Sequence, residues 1–302
     1  MSRSDDLEPP LPPEVAEAEA GGEVARLYGD IRWALRSPNV NLVYRLLAHY
    51  PDYLAAAWSE IGPNQASRYL EQQAERLRAL AALDVSPAGG RFRGELSALG
   101  LSGDELARIR GIIDLFNYAN PKNLIVVAAL RLVFDGRAIP GSDVAEGGQP
   151  LPSGPLPDVE VRLVDPGSAP PEARPVLAEI LAAHPESGAM PSVYRALANS
   201  PSFLHASWGA VRPYVAGPEF AARVRRLIDE AERAALGLPH PVGLSRARTE
   251  QIVGRDGAAA VETILRRFGT AMIPAMTVEV HTLKALLDGP EAARSSPLAW
   301  RG

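Results

Sequence analysis

The chain has 302 residues, 46% of them hydrophobic and 22% charged, with a formal net charge of −5 and no cysteine. That length fits one large domain or two ordinary ones, and the composition is that of a folding globular chain. The acidic balance gives little field for phosphate backbones, which argues against a nucleic-acid partner; the missing cysteines remove disulfides, thiolate catalysis and thiolate-held metals; and no run of about 18 apolar residues marks a membrane span.

Residues 1–22 are acidic and rich in proline and glycine (Asp5, Asp6, Glu8, Pro9, Pro10, Pro12, Pro13). They carry too little apolar surface to repay ordering, so a loose arm is expected. No basic segment leads into an apolar one there, which points to a cytoplasmic protein. Residues 23–135 read as a first helical unit; the stretch 71–83, EQQAERLRALAAL, combines strong helix formers with an apolar stripe. Residues 136–171 hold Gly147, Gly148 and a series of prolines from Pro150 to Pro171, and are expected to be a linker. Within it, residues 159–164 alternate Val-Glu-Val-Arg-Leu-Val, the pattern of an extended run lying against a surface. Residues 172–302 form a second helical unit, in which 219–236, EFAARVRRLIDEAERAAL, follows Pro218 at a helix start. Hairpin signals are absent, and the expected class is all-α.

The two units are related. Residues 43–58 read VYRLLAHYPDYLAAAW and residues 193–208 read VYRALANSPSFLHASW, with 9 of 16 positions identical at an offset of 150 and no gap. Unrelated segments would share about one. Fainter matches place Ala25-Arg26 on Ala173-Arg174, residues 116–121 (FNYANP) on 268–273 (FGTAMI), and 130–136 (LRLVFDG) on 283–289 (LKALLDG). A tandem duplication of this kind is expected to fold as an intramolecular pseudo-dimer, with a cleft between the copies for a small ligand. The repeated Trp58 and Trp208 read as core anchors. The repeated Arg45 and Arg195 read as helix-end caps or carboxylate partners, with an anion contact as the alternative.

Together, residues 27–58 (LYGDIRWALRSPNVNLVYRLLAHYPDYLAAAW), 116–124 (FNYANPKNL) and 191–208 (PSVYRALANSPSFLHASW) resemble the group I 2-haloacid dehalogenases, the DehI family. The resemblance implies an all-α pseudo-dimer with its active site between the repeats. It implies halide removal from small 2-halocarboxylic acids by direct attack of water, without a covalent intermediate, metal or organic cofactor. An aspartate of the second repeat, helped by an asparagine of the first, activates that water in the family.

Carried over residue by residue, the asparagine region is present as Asn117 and Asn120, and the first-repeat lining falls at Asn41 and Tyr44. The family's Ser-Asp pair falls on Ser192-Val193, or one place later on Val193-Tyr194, and no acid lies between Glu186 and Glu219. The resemblance therefore implies a haloacid dehalogenase scaffold without its expected base. The alternative is a family member with a different or lost activity toward another small carboxylic acid.

Among the other candidates, Glu279 reads two ways: a solvated glutamate on an amphipathic helix, or a carboxyl that apolar neighbours turn into an acid or base. His281 reads as a surface or satisfied histidine, and the scattered histidines have no metal-ligand spacing. Asn120 precedes Pro121 and suits local capping, whereas Asn117 lies inside an apolar run and is favoured as the catalytic amide. Tyr44 and Tyr194 are repeat equivalents, either core tyrosines or phenols presented to the cleft. The expected set is Asn117 and Glu279 for catalysis, and Asn41, Tyr44, Asn120, Ser192, Val193 and Tyr194 for a small carboxylic acid. Further association of two chains is left open.

Overall fold

The structure is a computed structural model that describes residues 10–142, 148–151 and 158–300. The arm residues Asp5, Asp6, Glu8 and Pro9 and the linker residues Gly147, Pro152, Pro155 and Pro157 lie outside them. Among the described residues there is no strand, and the only ladder-type pairs are two isolated bridges. The first half runs α1 (Gly22–Leu35), α2 (Leu42–Leu47), α3 (Pro51–Gln65), α4 (Arg68–Leu80), α5 (Ser86–Ala98) and α6 (Gly103–Phe134). The second half runs α7 (Arg174–Ala183), α8 (Ser192–Leu197), α9 (Pro201–Val215), α10 (Pro218–Leu236), α11 (Arg246–Arg267), α12 (Ile273–Asp288) and α13 (Pro290–Arg294).

Local chemistry accounts for many boundaries. Ser67 and Ser102 cap α4 and α6 by accepting the N–H of Leu70 and of Glu105, each at 3.1 Å. Pro51, Pro201 and Pro218 open α3, α9 and α10, where the missing N–H would have had no partner. α2 and α8 have 6 residues each, and α3 and α9 have 15 each. The repeated tyrosine and tryptophan of each copy meet edge to face in the same way. Tyr44 and Trp58 have centroids 5.8 Å apart at 84°, and Tyr194 and Trp208 are 6.0 Å apart at 84°. Such pairs contribute roughly 0.5–1.5 kcal/mol beyond their burial. Both tryptophans are buried, as expected of core anchors.

Two helices run through the centre. Residues 115–130 of α6 and residues 273–287 of α12 are all buried. At 1.5 Å per residue the 32 residues of α6 span about 48 Å. Pro121 sits inside α6 and cannot donate to the carbonyl of Asn117, one turn back. The Nε of buried Arg78, on α4, donates to that carbonyl instead, at 2.9 Å. The matching place in the second half is a π-helical turn, Phe268–Met272, directly before Ile273-Pro274.

The arm and linker are more engaged than their composition suggests. The backbone N–H of Val15 donates to the carbonyl of Arg45 at 2.9 Å, and Glu17 accepts from Arg32 and from the N–H of Val40, each at 2.8 Å. The expectation of a loose arm therefore fails for residues 10–21: Leu11, Val15 and Ala20 pack against the core, and Glu14 and Glu17 pair with arginines of the helices. In the linker, the side chains of Val159, Val161 and Leu163 pack on the core while Glu160 and Arg162 are exposed, as the alternation requires. Gly111 of α6 permits this approach, because a Cβ there would stand 2.8 Å from Val159.

The core also holds charge. Lys122 is fully buried, with Nζ 3.2 Å from Glu71 Oε2 and 3.3 Å from the Tyr118 hydroxyl. Removing one partner of such a pair strands the other in a low-dielectric interior. Lys122→Met is expected to destabilise the protein by about 3–5 kcal/mol in denaturant unfolding. Arg91→Ala, which breaks only the exposed pair with Glu95, should leave the midpoint nearly unchanged.

Candidate active site

A small, partly open cavity of about 40 Å³ lies where the two halves meet. Asn41, Leu42 and Val43 line it from the start of α2, and Pro191, Ser192 and Val193 line it from the matching start of α8. α6 contributes Phe116, Asn120 and Asn123, at helical spacings of four and three. The π-turn and α12 contribute Phe268, Met272, Ile273 and Met276, again one turn apart. No lining residue is an acid, a base or a histidine.

Four polar side chains interrupt the apolar wall. Asn123 Oδ1 accepts from the Tyr44 hydroxyl at 2.9 Å and from Gln65 Nε2 at 3.2 Å. Ser192 Oγ accepts from Arg45 Nη2 at 3.2 Å. Asn41 Oδ1 and Asn120 Nδ2 are buried with no protein partner. An acceptor and a donor left open in an apolar cavity are the groups that a small polar ligand or a water would satisfy.

The structure thus brings Asn41, Asn120, Ser192 and Val193 together and moves the other sequence-derived candidates elsewhere. Asn117 does not face the cavity. It lies one residue beyond the Phe116–Asn120–Asn123 face, and its Nδ2 donates to the carbonyl of Ala293 at 3.0 Å, tying α6 to α13. Of the two amides, Asn120 and not Asn117 lines the cavity. Tyr44 and Tyr194 are core tyrosines rather than phenols presented to the cleft. Tyr44 donates to Asn123, and burial raises its phenol well above the ordinary value. Tyr194 donates to Glu279 Oε2 at 2.5 Å, and burial followed by the neighbouring carboxylate raises its phenol strongly.

Glu279 is buried, not solvated, and belongs to a cluster behind the cavity wall. Its Oε1 lies 3.0 Å from His184 Nε2. It stands one turn beyond Met276 on α12, adjacent to the cavity-lining side of that helix but outside the lining itself. His281 is also buried rather than surface-exposed, and neither ring nitrogen has a protein partner. Among the described residues no group of three or more His, Cys, Asp or Glu side chains is placed to hold a metal ion. Sequence reasoning missed Asn123, Phe116, Phe268, Met272 and Met276. Their one-turn spacing on the two repeat-equivalent helices was the available signal.

The family model described as "Halocarboxylic acid dehydrogenase DehI" matches residues 38–184. A protein of Alcaligenes xylosoxydans xylosoxydans named "2-haloacid dehalogenase, configuration-inverting" is 30% identical over 293 residues, covering 94% of this chain and 97% of its own. The chain belongs to the DehI family. A protein of the same name from Pseudomonas sp. (strain 113) is also 30% identical, over 93% of this chain and 92% of its own. The solved structure described as "The complex structure of D-2-haloacid dehalogenase with L-LA" superposes with a TM-score of 0.78 at 23% identity, over 92% of this chain and all of that one. That likeness fixes the all-helical fold.

Two outcomes follow from these positions. Burial first, then the charges of Arg78, Arg294 and Arg223, push His281 down to about 4. Between pH 6.5 and that value the unfolded chain binds a proton at this site and the folded chain does not. Stability should therefore fall as the pH drops through this window, by up to about 3 kcal/mol. His281→Leu should flatten that part of a pH series of urea unfolding curves. Separately, Asn117→Ala should lower stability by about 1 kcal/mol in urea unfolding, through the lost tie to Ala293.

Proposed function

We propose that the cavity takes a small 2-halocarboxylic or related 2-substituted carboxylic acid, and that the water-activating base of the family's reaction is replaced here by Val193. Direct displacement needs a water held behind C2, a base for its proton, donors for the carboxylate and a dry surround for the halogen. Oxygen bonds to C2 as the carbon–halogen bond breaks, the halide leaves with the electron pair, and C2 inverts. The relatives named "configuration-inverting" act with that stereochemistry.

This cavity supplies most of the list. Phe116, Phe268, Met272 and Met276 offer the apolar surround, and the open Asn120 Nδ2 offers a donor to carboxylate or water. What supports the proposal is that Val193, one of the two positions on which the resemblance puts the family's aspartate, lines the cavity, and that no acid or imidazole lines it. A valine accepts no proton, and losing a general base lowers the rate by about 10²–10⁴-fold. We therefore infer a ligand-binding scaffold whose halide release is weak.

Glu279 supports a second reading. It is a buried carboxylate, and it accepts from the hydroxyl of Tyr194, the residue after Val193. If it serves as the base, the wild type turns over and Glu279→Gln does not.

The test is halide release from both enantiomers of 2-chloropropionate and 2-bromopropionate. The wild type is expected to be slow, and Val193→Asp to be faster by about 10²-fold or more. Brisk wild-type turnover that survives in Glu279→Gln would overturn the proposal.

A further inference from the structure

The cavity wall carries no cation, yet two arginines stand beside it. Arg45 of α2 and Arg195 of α8 occupy matching places in the two repeats, and their side chains are 3% and 12% exposed. Both converge on one carboxylate, that of Glu14 in the arm. Arg195 Nη1 lies 2.9 Å from Oε1 and 3.0 Å from Oε2, and Arg45 Nη2 lies 3.1 Å from Oε2. The same Arg45 nitrogen donates to Ser192 Oγ, which lines the cavity. The cations, the carboxylate and the cavity wall thus form one connected set.

The second repeat has no counterpart of Glu14. Val15 donates to the Arg45 carbonyl and Val164 donates to the Arg195 carbonyl, so arm and linker run past α2 and α8 in equivalent fashion. In that alignment Leu163 stands where Glu14 does. Buried Arg45 and half-buried Arg195 share the Glu14 carboxylate, Glu17 is the other acid whose charge reaches Arg45, and Arg45 Nε has no partner. A guanidinium taken out of water needs a paired anion, and a planar carboxylate fits its fork.

We infer that Arg45 and Arg195 form a carboxylate seat beside the cavity, that Glu14 fills it as an internal ligand, and that small monocarboxylates bind it when Glu14 is displaced or removed. The ligand class follows from what sits there now, a single carboxylate on a short aliphatic stem. The arm lies across the seat through a handful of polar contacts, and the Glu14 side chain remains 25% exposed. A tethered carboxylate competes at an effective concentration in the millimolar range, so free acids should reach the seat only weakly in the wild type. The link from seat to cavity through Ser192 rests on the proposed function; the seat itself does not.

The experiment is thermal melting of the full chain in sodium propionate at tens of millimolar, against sodium chloride at equal ionic strength. Glu14→Gln is expected to melt below the wild type and to regain most of the loss in propionate but not in chloride. Adding Arg195→Met should weaken the apparent propionate affinity by about tenfold, the loss of one charged contact. A third variant, Glu14→Gln with Asn120→Leu, blocks the cavity and should still be rescued. If Glu14→Gln folds poorly, its refolding yield in propionate against chloride gives the same reading. Equal responses of wild type and Glu14→Gln, or equal rescue by chloride, would overturn the seat. Binding of 2-chloropropionate by the wild type with no propionate effect on Glu14→Gln would sink the seat and leave the cavity proposal standing. Rescue of Glu14→Gln with no 2-chloropropionate binding to the wild type would do the reverse.

Discussion

Two helices with no solvent-facing side, α6 and α12, set the terms for everything around them. With residues 115–130 and 273–287 buried throughout, any polar group on them must find its partner inside the protein. Most do. Lys122 takes Glu71 and Tyr118, Lys284 takes Asp114 and Asp288, and Thr277 and Thr282 return their hydroxyls to carbonyls one turn back. Even the carbonyl freed by Pro121 is recovered by Arg78. Against that thoroughness the unpaired groups stand out. Asn120, whose Nδ2 has no partner, lines the cavity, and the nitrogens of His281 lie in a field of arginines.

The same constraint explains which parts of the molecule are readable from sequence. The duplicated block was visible because its residues pack in the same way twice. Tyr44 on Trp58 and Tyr194 on Trp208 adopt nearly the same geometry, so the same residue types recur at the same spacing. Helix-forming composition located α4 and α10 for similar reasons. The arm was misread because composition registers apolar burial and not the capture of a single carboxylate by two distant arginines. Glu14, Arg45 and Arg195 are far apart in sequence and only the fold brings them together.

The cavity lining was legible to within one helical step and no closer. Asn117 and Asn120 are three apart, so both sit on neighbouring faces of α6, and interior character could not choose between them. The choice depends on where α2 and α8 present their first turns. That contact places the Phe116–Asn120–Asn123 face on the cavity and turns Asn117 toward the Ala293 carbonyl. Glu279 illustrates the opposite case. Its apolar neighbours were a sound indication of burial, but Tyr194 and His184 claim the two carboxylate oxygens from behind the wall.

A valine at position 193 also has a stability consequence that runs against activity. An aspartate there would stand among Phe116, Phe268, Met272 and Met276, desolvated and without a cation on the cavity wall. Burying an ionised carboxylate in such a site costs several kcal/mol or forces it to take up a proton. Replacing it with a branched apolar side chain removes that strain and fills the space. Arg45 touches the wall through Ser192 and is already committed to Glu14. A carboxylate introduced at 193 would draw on that same arginine. The proton affinity of that carboxylate and the grip of the arm would then be coupled, since any charge Arg45 shares with residue 193 is taken from Glu14.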